Sequence, residues 1–410
     1  VFPHSLGIFY ASVTQWLGFP KYGDEGKVMG LAPYGKPKRV EEARRLVRLA
    51  DDGSFDLDLK YFGHIGSNRR AFTAEFERLF GRPARHPEAD LEPFHEDVAA
   101  SGQKVLEEAV LHAARHALKR TGLKRLCMAG GVALNGVANW RILRETGCEE
   151  LFVQPAAGDD GGALGAALDI AASVGNDPRP ARLVSAALGP SYDDAACAGA
   201  LEAKGYAPRR LAEAEMICEV ARLVADGKVV GWFDGRMEFG PRALGHRSIL
   251  ADPTNPRMKE IVNARVKFRE HFRPFAPSVA LEDASTYFET PPGFEAPFMV
   301  LVCPVREGQR ERLPAITHVD GSARIQTVKA KDEPRYHTLL KEFERLRGVP
   351  VLMNTSFNVK GEPIVCTPAD ALRTFEGCGL DALALCSYLV IGKRVSEPLG
   401  SQAGLTRSAM

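Results

Sequence analysis

Residues 125–135 read RLCMAGGVALN, and residues 151–172 read LFVQPAAGDDGGALGAALDIAA. Each opens on a short apolar run, breaks on glycines and continues into a helical pattern, over 134–144 in the first and 163–172 in the second. Strand, glycine turn, helix, stated twice in succession, is the grammar of an α/β domain. Just upstream a long helical pattern runs from 96 to 121 through Val105, Leu106, Val110, Leu111 and Ala114, and Gly122 stops it. Further back, 51–95 is polar and irregular with strand-like fragments, 38–50 has helical spacing, and Pro33-Tyr34-Gly35-Lys36-Pro37 is a turn. Downstream, GNDPRP at 175–180 has the composition of a linker. A second domain begins near Leu188, with helices expected over 193–204 and 213–225 and a strand over 229–233. The spacing therefore predicts one α/β domain over 1–180, another over 188–395 and a loose tail over 396–410.

The bulk composition agrees. At about 150 residues per domain, 410 residues make two or three domains. The hydrophobic share is 45% and the charged share 26%, the profile of a globular protein whose core needs no disulfides. A net charge of +1 argues against a broad nucleic-acid or membrane face. None of the eight cysteines forms a C-x-x-C pair, so zinc knuckles and thioredoxin-type chemistry are not expected. Scattered thiols, no secretory leader and no apolar run of about 18 residues lead to the expectation of a cytoplasmic protein.

Six segments carry polar groups in patterns that suit a ligand. Gly130-Gly131 ends an apolar run and precedes a helix, where a bare backbone can approach phosphate or ribose oxygens, although a tight turn alone would read the same. Gly158-Asp159-Asp160-Gly161-Gly162 repeats that geometry with two carboxylates, which could cap the helix or hold a phosphate-bound metal. GRMEFGPRALGHRS at 235–248 and KFREHFRPF at 267–275 place six arginine or lysine side chains among glycine, proline and phenylalanine. Arginine forks grip phosphate or carboxylate at two points, and a cluster this local suits a small anion. HVDGSAR at 318–324 and NTSFN at 354–358, the latter after an apolar run over 349–353, add hydroxyls and amides that suit a ligand loop or a plain turn. His112 and His116 share a helical face, but with no third ligand nearby they are read as surface or partly buried side chains.

Taken together these motifs resemble the O-carbamoyltransferases of nodulation-factor, aminoglycoside, cephamycin and novobiocin-type pathways. The likeness rests on PHSLG at 3–7, KVMGLAPYG at 27–35, GGVALN at 130–135, GRMEFGPRALGHRSILADP at 235–253, FRPFAPSV at 272–279, HVDGSARIQTV at 318–328 and NTSFNVKGEPIVCTP at 354–368. It implies an α/β fold made of the second lobe of an actin-like (ASKHA) ATPase domain, followed by a YrdC-like α/β domain. The family's first lobe carries an H-x-x-x-H metal motif, and the chain, which opens Val1-Phe2-Pro3-His4, is expected to start after it.

The resemblance also implies a reaction. Carbamoyl phosphate releases phosphate, the carbamate attacks the α-phosphate of ATP, and the resulting carbamoyl adenylate gives its carbamoyl group to a hydroxyl of a small-molecule acceptor. Lys267, Arg242, Arg273 and Arg324 would be catalytic, holding carbamoyl phosphate and the ATP phosphates together with Asn354 and Ser356. Gly130, Gly131 and Asn135 would contact the nucleotide. Asp160, in preference to Asp159, would hold a divalent metal, Mg2+ or Fe2+. Glu25 and Lys27 lie in a segment near the nucleotide in such folds. Neither nucleic acid nor membrane is an expected partner, and a homodimer is left open. The chain departs from the family at Asp24-Glu25-Gly26-Lys27, where Gly-Glu-Tyr-Lys is common, at His246 for a usual Asn, and at Ser322 for a usual Thr. Two other readings are a nucleotide-binding subunit that needs a missing lobe and a tRNA threonylcarbamoylation enzyme.

Overall fold

A computed structural model describes residues 2–66, 70–175 and 183–392. Of the expected linker only Gly175 is described, and the expected tail at 396–410 lies outside the described residues.

The chain opens with helix Leu6–Trp16, whose N-cap Ser5 accepts the amides of Gly7 and Ile8, a cap that stabilises by about 1 kcal/mol. Its buried face, with Phe9, Val13 and Trp16, packs on helix Pro93–Thr121. That long helix is the spine of the first unit. It stops at Gly122, where φ is 67°, a left-handed cap that glycine adopts without strain. Trp16, Phe76 and Phe80 pack together beside it, and Trp16 also meets the helix's own Phe94. The helical spacing over 38–50 becomes a helix only at Val40–Arg44. From Val47 the chain is a strand, β1 (Val47–Leu49), paired antiparallel with β2 (Phe55–Leu57). The partner strand takes the backbone groups, which local periodicity cannot register.

β3 (Arg125–Met128) and β4 (Glu150–Val153) form a parallel pair joined through helix Gly136–Glu145, as the strand–turn–helix reading expects. The second helix of that reading, Gly162–Val174, is present, but none of its residues is buried.

The second unit is built on a nine-stranded mixed sheet. In chain order its strands are β5 (Arg209–Arg210), β6 (Val230–Phe233), β7 (Arg247–Ala251), β8 (Ala276–Ala280), β9 (Leu301–Pro304), β10 (Ser322–Val328), β11 (Val351–Ser356), β12 (Ala382–Leu385) and β13 (Tyr388–Ile391). Their spatial order is β5-β13-β12-β6-β7-β11-β8-β10-β9. Only β12 with β6 and β10 with β8 run parallel. Every residue of β6, β7, β8 and β12 is buried, so these strands lie in a core with both faces covered. Helices Glu213–Ala225 and Pro334–Arg347 pack together and on the sheet, and Asp194–Glu202 and Pro368–Glu376 make a second pair. The chain is thus a mixed α/β protein with a large mixed sheet.

Each unit has its own core, and several contacts fasten the two. Phe272, from the loop before β8, sits in the first unit's core, 6.1 Å from the Phe19 ring. His318 bonds through Nε2 to the Gly30 carbonyl at 2.9 Å, and the Asn139 amide donates to the Val300 carbonyl at 2.9 Å. Lys27 pairs with Glu270 at 3.2 Å. Among the described residues no helix is long and apolar enough to cross a membrane.

Candidate functional site

Five cationic side chains converge from segments far apart in sequence. Arg242 comes from the loop between β6 and β7, Lys267 from the end of a π-helical turn (Asn263–Lys267), Arg269 and Arg273 from the loop before β8, and Arg324 from β10. The residue after Lys267, Phe268, has φ of 44° and is half exposed. A bulky residue held in the left-handed region, directly after a π turn, marks a stretch of backbone fixed by its surroundings for a purpose other than local ease.

Four of the five, Arg242, Lys267, Arg269 and Arg324, are shifted from their ordinary values. Burial and the nearby Arg273 push the Arg242 guanidinium down to about 10. Burial, then Arg273, brings Arg269 to about 9 despite Glu270. Arg324 is driven well below its ordinary value by burial and by Arg242, Arg269 and Arg273. Lys267, only 5% exposed, is lowered by burial and by Arg269 and Arg273. The Nε atoms of Arg242 and Arg324 are buried without a hydrogen-bond partner. The carboxylate that stands among these cations is that of Glu270, 3.8 Å from Arg273 and shared with Lys27. Lys267 is buried and the four arginines are half-buried, and crowding like charge in a partly desolvated place without its counter-charge is unfavourable. A bound polyanion removes that cost, so the cluster has the character of an anion site.

Lys267 is fixed in detail. Its ammonium donates to the Ser356 carbonyl, to Ser356 Oγ at 3.2 Å, to the Asn358 carbonyl at 3.0 Å and to Asn358 Oδ1 at 2.8 Å. Ser356 Oγ in turn donates to Asn358 Oδ1 at 2.7 Å. Lys267 and Ser356, both expected site residues, therefore share one clamp.

Asn354, also an expected ligand contact, is 1% exposed and lies inside β11. Its Nδ2 reaches the Ala243 carbonyl at 3.3 Å, Ser278 Oγ at 3.0 Å and Gln326 Oε1 at 3.1 Å. It braces the loop that carries Arg242 from beneath. Three members of the site were not singled out as ligands from the sequence: Arg269, Glu270 and Asn358. The signal for Arg269 was present in the 267–275 run, where it stands between two cations that were chosen.

The second group of expected residues lies at the C-terminal ends of β3 and β4. Gly130 and Gly131 are exposed, and a Cβ added at either would meet nothing within 4 Å. Gly130 has φ of 94°, and its amide donates to the Ala157 carbonyl at 2.6 Å, which ties the two glycine turns together. Asn135 is buried. Its Oδ1 caps helix Gly136–Glu145 at the Ala138 amide, and its Nδ2 bonds to Gln103 at 2.9 Å. Gln103 also receives the Tyr10 hydroxyl at 2.6 Å. Asp159 and Asp160 are exposed in a short 3-10 turn. Gln154, between β4 and that turn, has both amide atoms buried without a partner. The turn after β4 also meets the cationic cluster's scaffold: a Cβ on Gly240 would lie 3.0 Å from the Pro155 carbonyl.

His112 bonds to the Ala50 carbonyl at 2.7 Å, and the His116 ring covers Gly53, so both are spent on the β1–β2 hairpin. Among the described residues no group of three or more His, Cys, Asp or Glu side chains is placed to hold a metal ion. Lys27 joins Asp24 at 2.8 Å and Glu270 at 3.2 Å, so its segment reaches the cluster through Glu270.

His246 sits at the edge of this region. Burial lowers its basicity, but Glu333 at 3.0 Å, with Glu238 and Asp234, outweighs burial and holds its pKa above the ordinary histidine range. The protonated ring therefore contributes stability that is fully present below the unfolded pKa of about 6.5 and is lost as pH rises through the folded value. Thermal melts from about pH 6 to about pH 8.5 should show the wild type losing more stability than His246→Asn. Parallel melting curves for the two proteins would contradict this assignment.

Comparison with known proteins adds a family. Residues 1–168 match the family model described as carbamoyltransferase N-terminus, and residues 221–392 the one described as carbamoyltransferase C-terminus. The chain is 44% identical over 397 residues to nodulation protein NolNO of Sinorhizobium fredii, covering 96% of this chain and 56% of that protein. It is 43% identical over 392 residues to nodulation protein NolO of Bradyrhizobium diazoefficiens, covering 94% and 69%. An uncharacterized protein of Synechocystis, sll1178, is 44% identical over 418 residues, covering 95% and 67%. The chain thus spans 56% to 69% of the length of these three relatives.

Proposed function

The chain belongs to the carbamoyltransferase family, and we propose that it serves an ATP-dependent O-carbamoyltransferase that makes carbamoyl adenylate and passes the carbamoyl group to a hydroxyl of a small-molecule acceptor. The observation that carries this reading is the cluster of Arg242, Lys267, Arg269, Arg273 and Arg324, left with too little negative charge of its own. Carbamoyl phosphate and the ATP triphosphate are the polyanions that the proposed reaction brings there. Cations preorganised in a partly dry site stabilise the charge that grows on the departing phosphate and pyrophosphate.

The steps balance. Water and carbamoyl phosphate give phosphate and carbamate. A carbamate oxygen attacks the α-phosphorus of ATP, and the bond to the β-phosphate breaks with loss of pyrophosphate. The acceptor oxygen then attacks the carbamoyl carbon, AMP leaves, and the acceptor's proton goes to solvent or a base. In this reading the larger unit is the YrdC-like half, where the adenylate forms. The turns at 130–131 and 158–162 belong to part of an actin-like half, where transfer takes place. The exposed Gly130 and Gly131 suit close approach of a nucleotide to the backbone.

Asp160 supplies one carboxylate at that turn. Mg2+ commonly binds through one or two carboxylates with phosphate oxygens and water, so this donor set fits Mg2+, whose contribution would be to neutralise phosphate charge. Fe2+ sites take two histidines and a carboxylate, and no such trio is assembled among the described residues.

The test is to incubate the protein with carbamoyl phosphate and ATP without an acceptor. Phosphate and pyrophosphate should appear in equal amounts, with carbamoyl adenylate detected by mass spectrometry. A folded protein that releases neither defeats the proposal for this chain. Phosphate without pyrophosphate would remove the adenylate step.

A further inference from the structure

Arg242 has to enter a like-charged cluster, and one carboxylate oxygen ties the start of the loop that carries it to three amides at its end. Glu238 Oε1 accepts the backbone amides of Leu244 at 2.6 Å, His246 at 2.9 Å and Arg247 at 3.2 Å. Residues 239–243 therefore form a loop whose start reaches across and ties its end. Glu238 itself is buried, 5% exposed, and makes no ion pair with Arg242 among the described residues. The carbonyls of this loop are held from the other side: Leu244 by Gln326 at 2.7 Å and Ala243 by Asn354. The closed loop presents Arg242 to the cluster, where its neighbour in charge is Arg273. Held by nothing, a guanidinium would swing away from like charge into water, since burying it there is unfavourable.

We infer that Glu238 is a positioning residue of the anion site, acting through Arg242 by tying the 238–247 loop with its Oε1. Three backbone amides converge on this one carboxylate oxygen, so its loss frees the loop rather than loosening it slightly. The inference rests on the reading of the cationic cluster as a phosphate site.

The test is calorimetric binding of inorganic phosphate to the full chain, with melting curves recorded alongside. Glu238→Ala should weaken phosphate binding by about tenfold, the usual scale for losing one well-placed contact. Glu238→Gln keeps an oxygen at Oε1 and should stay within about threefold of wild type. In an Arg242→Ala background, Glu238→Ala should add no further loss, because the residue it positions is gone. Should Glu238→Ala fail to fold, Glu238→Asp retains the charge, draws the oxygen back by one methylene and should show a loss of the same kind. Wild-type phosphate affinity in a folded Glu238→Ala or Glu238→Asp overturns the inference while leaving the site reading intact. An equal loss with and without Arg242 overturns it too, since Glu238 would then act elsewhere. If the wild type binds no phosphate, both the site reading and the inference fall.

Discussion

Lys267→Ala is expected to abolish phosphate release from carbamoyl phosphate, with turnover down by about a thousandfold or more. Two losses combine. The ammonium disappears from a cluster whose charge would stabilise the departing phosphate, and the clamp on Ser356 and Asn358 opens. The backbone carbonyls of both residues and Asn358 Oδ1 would each lose a charged donor in a buried place, which costs about 1–3 kcal/mol per unpaired group. Lys267→Met separates the two effects in part, because it fills the same space without charge. It should keep the native near-ultraviolet dichroism, melt below wild type by the cost of the lost hydrogen bonds, and remain inactive. Single-turnover phosphate release is the measurement, because it reads chemistry without product release. Full turnover in a folded Lys267→Met would remove Lys267 from the reaction.

The same residue predicts a proton signature. Burial, with Arg269 and Arg273 close by, lowers the Lys267 pKa well below the ordinary lysine range. A bound dianion works against all three causes, because it brings opposite charge into the same space. Binding of phosphate should therefore draw protons from the buffer as pH rises toward the lowered Lys267 value. Calorimetry in buffers of different ionisation enthalpy reads this uptake, and Lys267→Met should lose part of it.

What was legible in the sequence, and what was not, divides along range. Helices over 93–121 and 213–225 follow from local apolar periodicity, and the glycine turns after β3 and β4 follow from residues next to one another. The strand at Val47–Leu49 was hidden because its partner, 55–57, lies across a turn while its own apolar spacing also fits a helix. Among the site residues, charge type and crowding point to Arg242, Lys267 and Arg273 as members of one anion site, while Arg324 joins them only through the family resemblance. The division of labour was not readable. Asn354 reads as a loop ligand in NTSFN, but β11 runs through it; its Nδ2 is held by Ala243, Ser278 and Gln326, while its Oδ1 is buried without a partner. Asn135 looks like a nucleotide contact after the glycines, but Gln103, from a helix far upstream, and the Ala138 amide occupy it. In both cases hydrogen-bond partners come from other elements, which local sequence does not show. Glu238 is the converse. Its partners at 244–247 are close in sequence, but only the turn geometry reveals that one carboxylate oxygen faces three amides.

Arg324→Met should separate function from stability with opposite signs. Arg324 stands in β10 with its Nε buried and unpartnered, and what acts on its charge is burial together with three other arginines. Arg324 as a whole is half-buried, so replacing its uncompensated, partly desolvated charge by an apolar side chain of similar length should be stabilising at the low end of the range of about 1–4 kcal/mol found in buried ionic sites. The ligand-free variant should therefore melt about 1–3 °C above wild type. Phosphate should reverse the order. At about a hundred times its dissociation constant a ligand adds about 2.7 kcal/mol to the form that binds it, so saturating phosphate should raise the wild-type melt clearly. The variant, with one less fork in the site, should respond weakly. Its phosphate release from carbamoyl phosphate should fall by about a hundredfold or more. A variant that is less stable than wild type without phosphate would mean that Arg324 is compensated in the folded protein, and the argument that the cluster waits for an anion would lose its energetic ground. A variant that is more stable and also fully responsive to phosphate would place the anion away from β10. The stability the protein forgoes by burying these cations together is, on this reading, the same free energy that it recovers when the polyanion arrives.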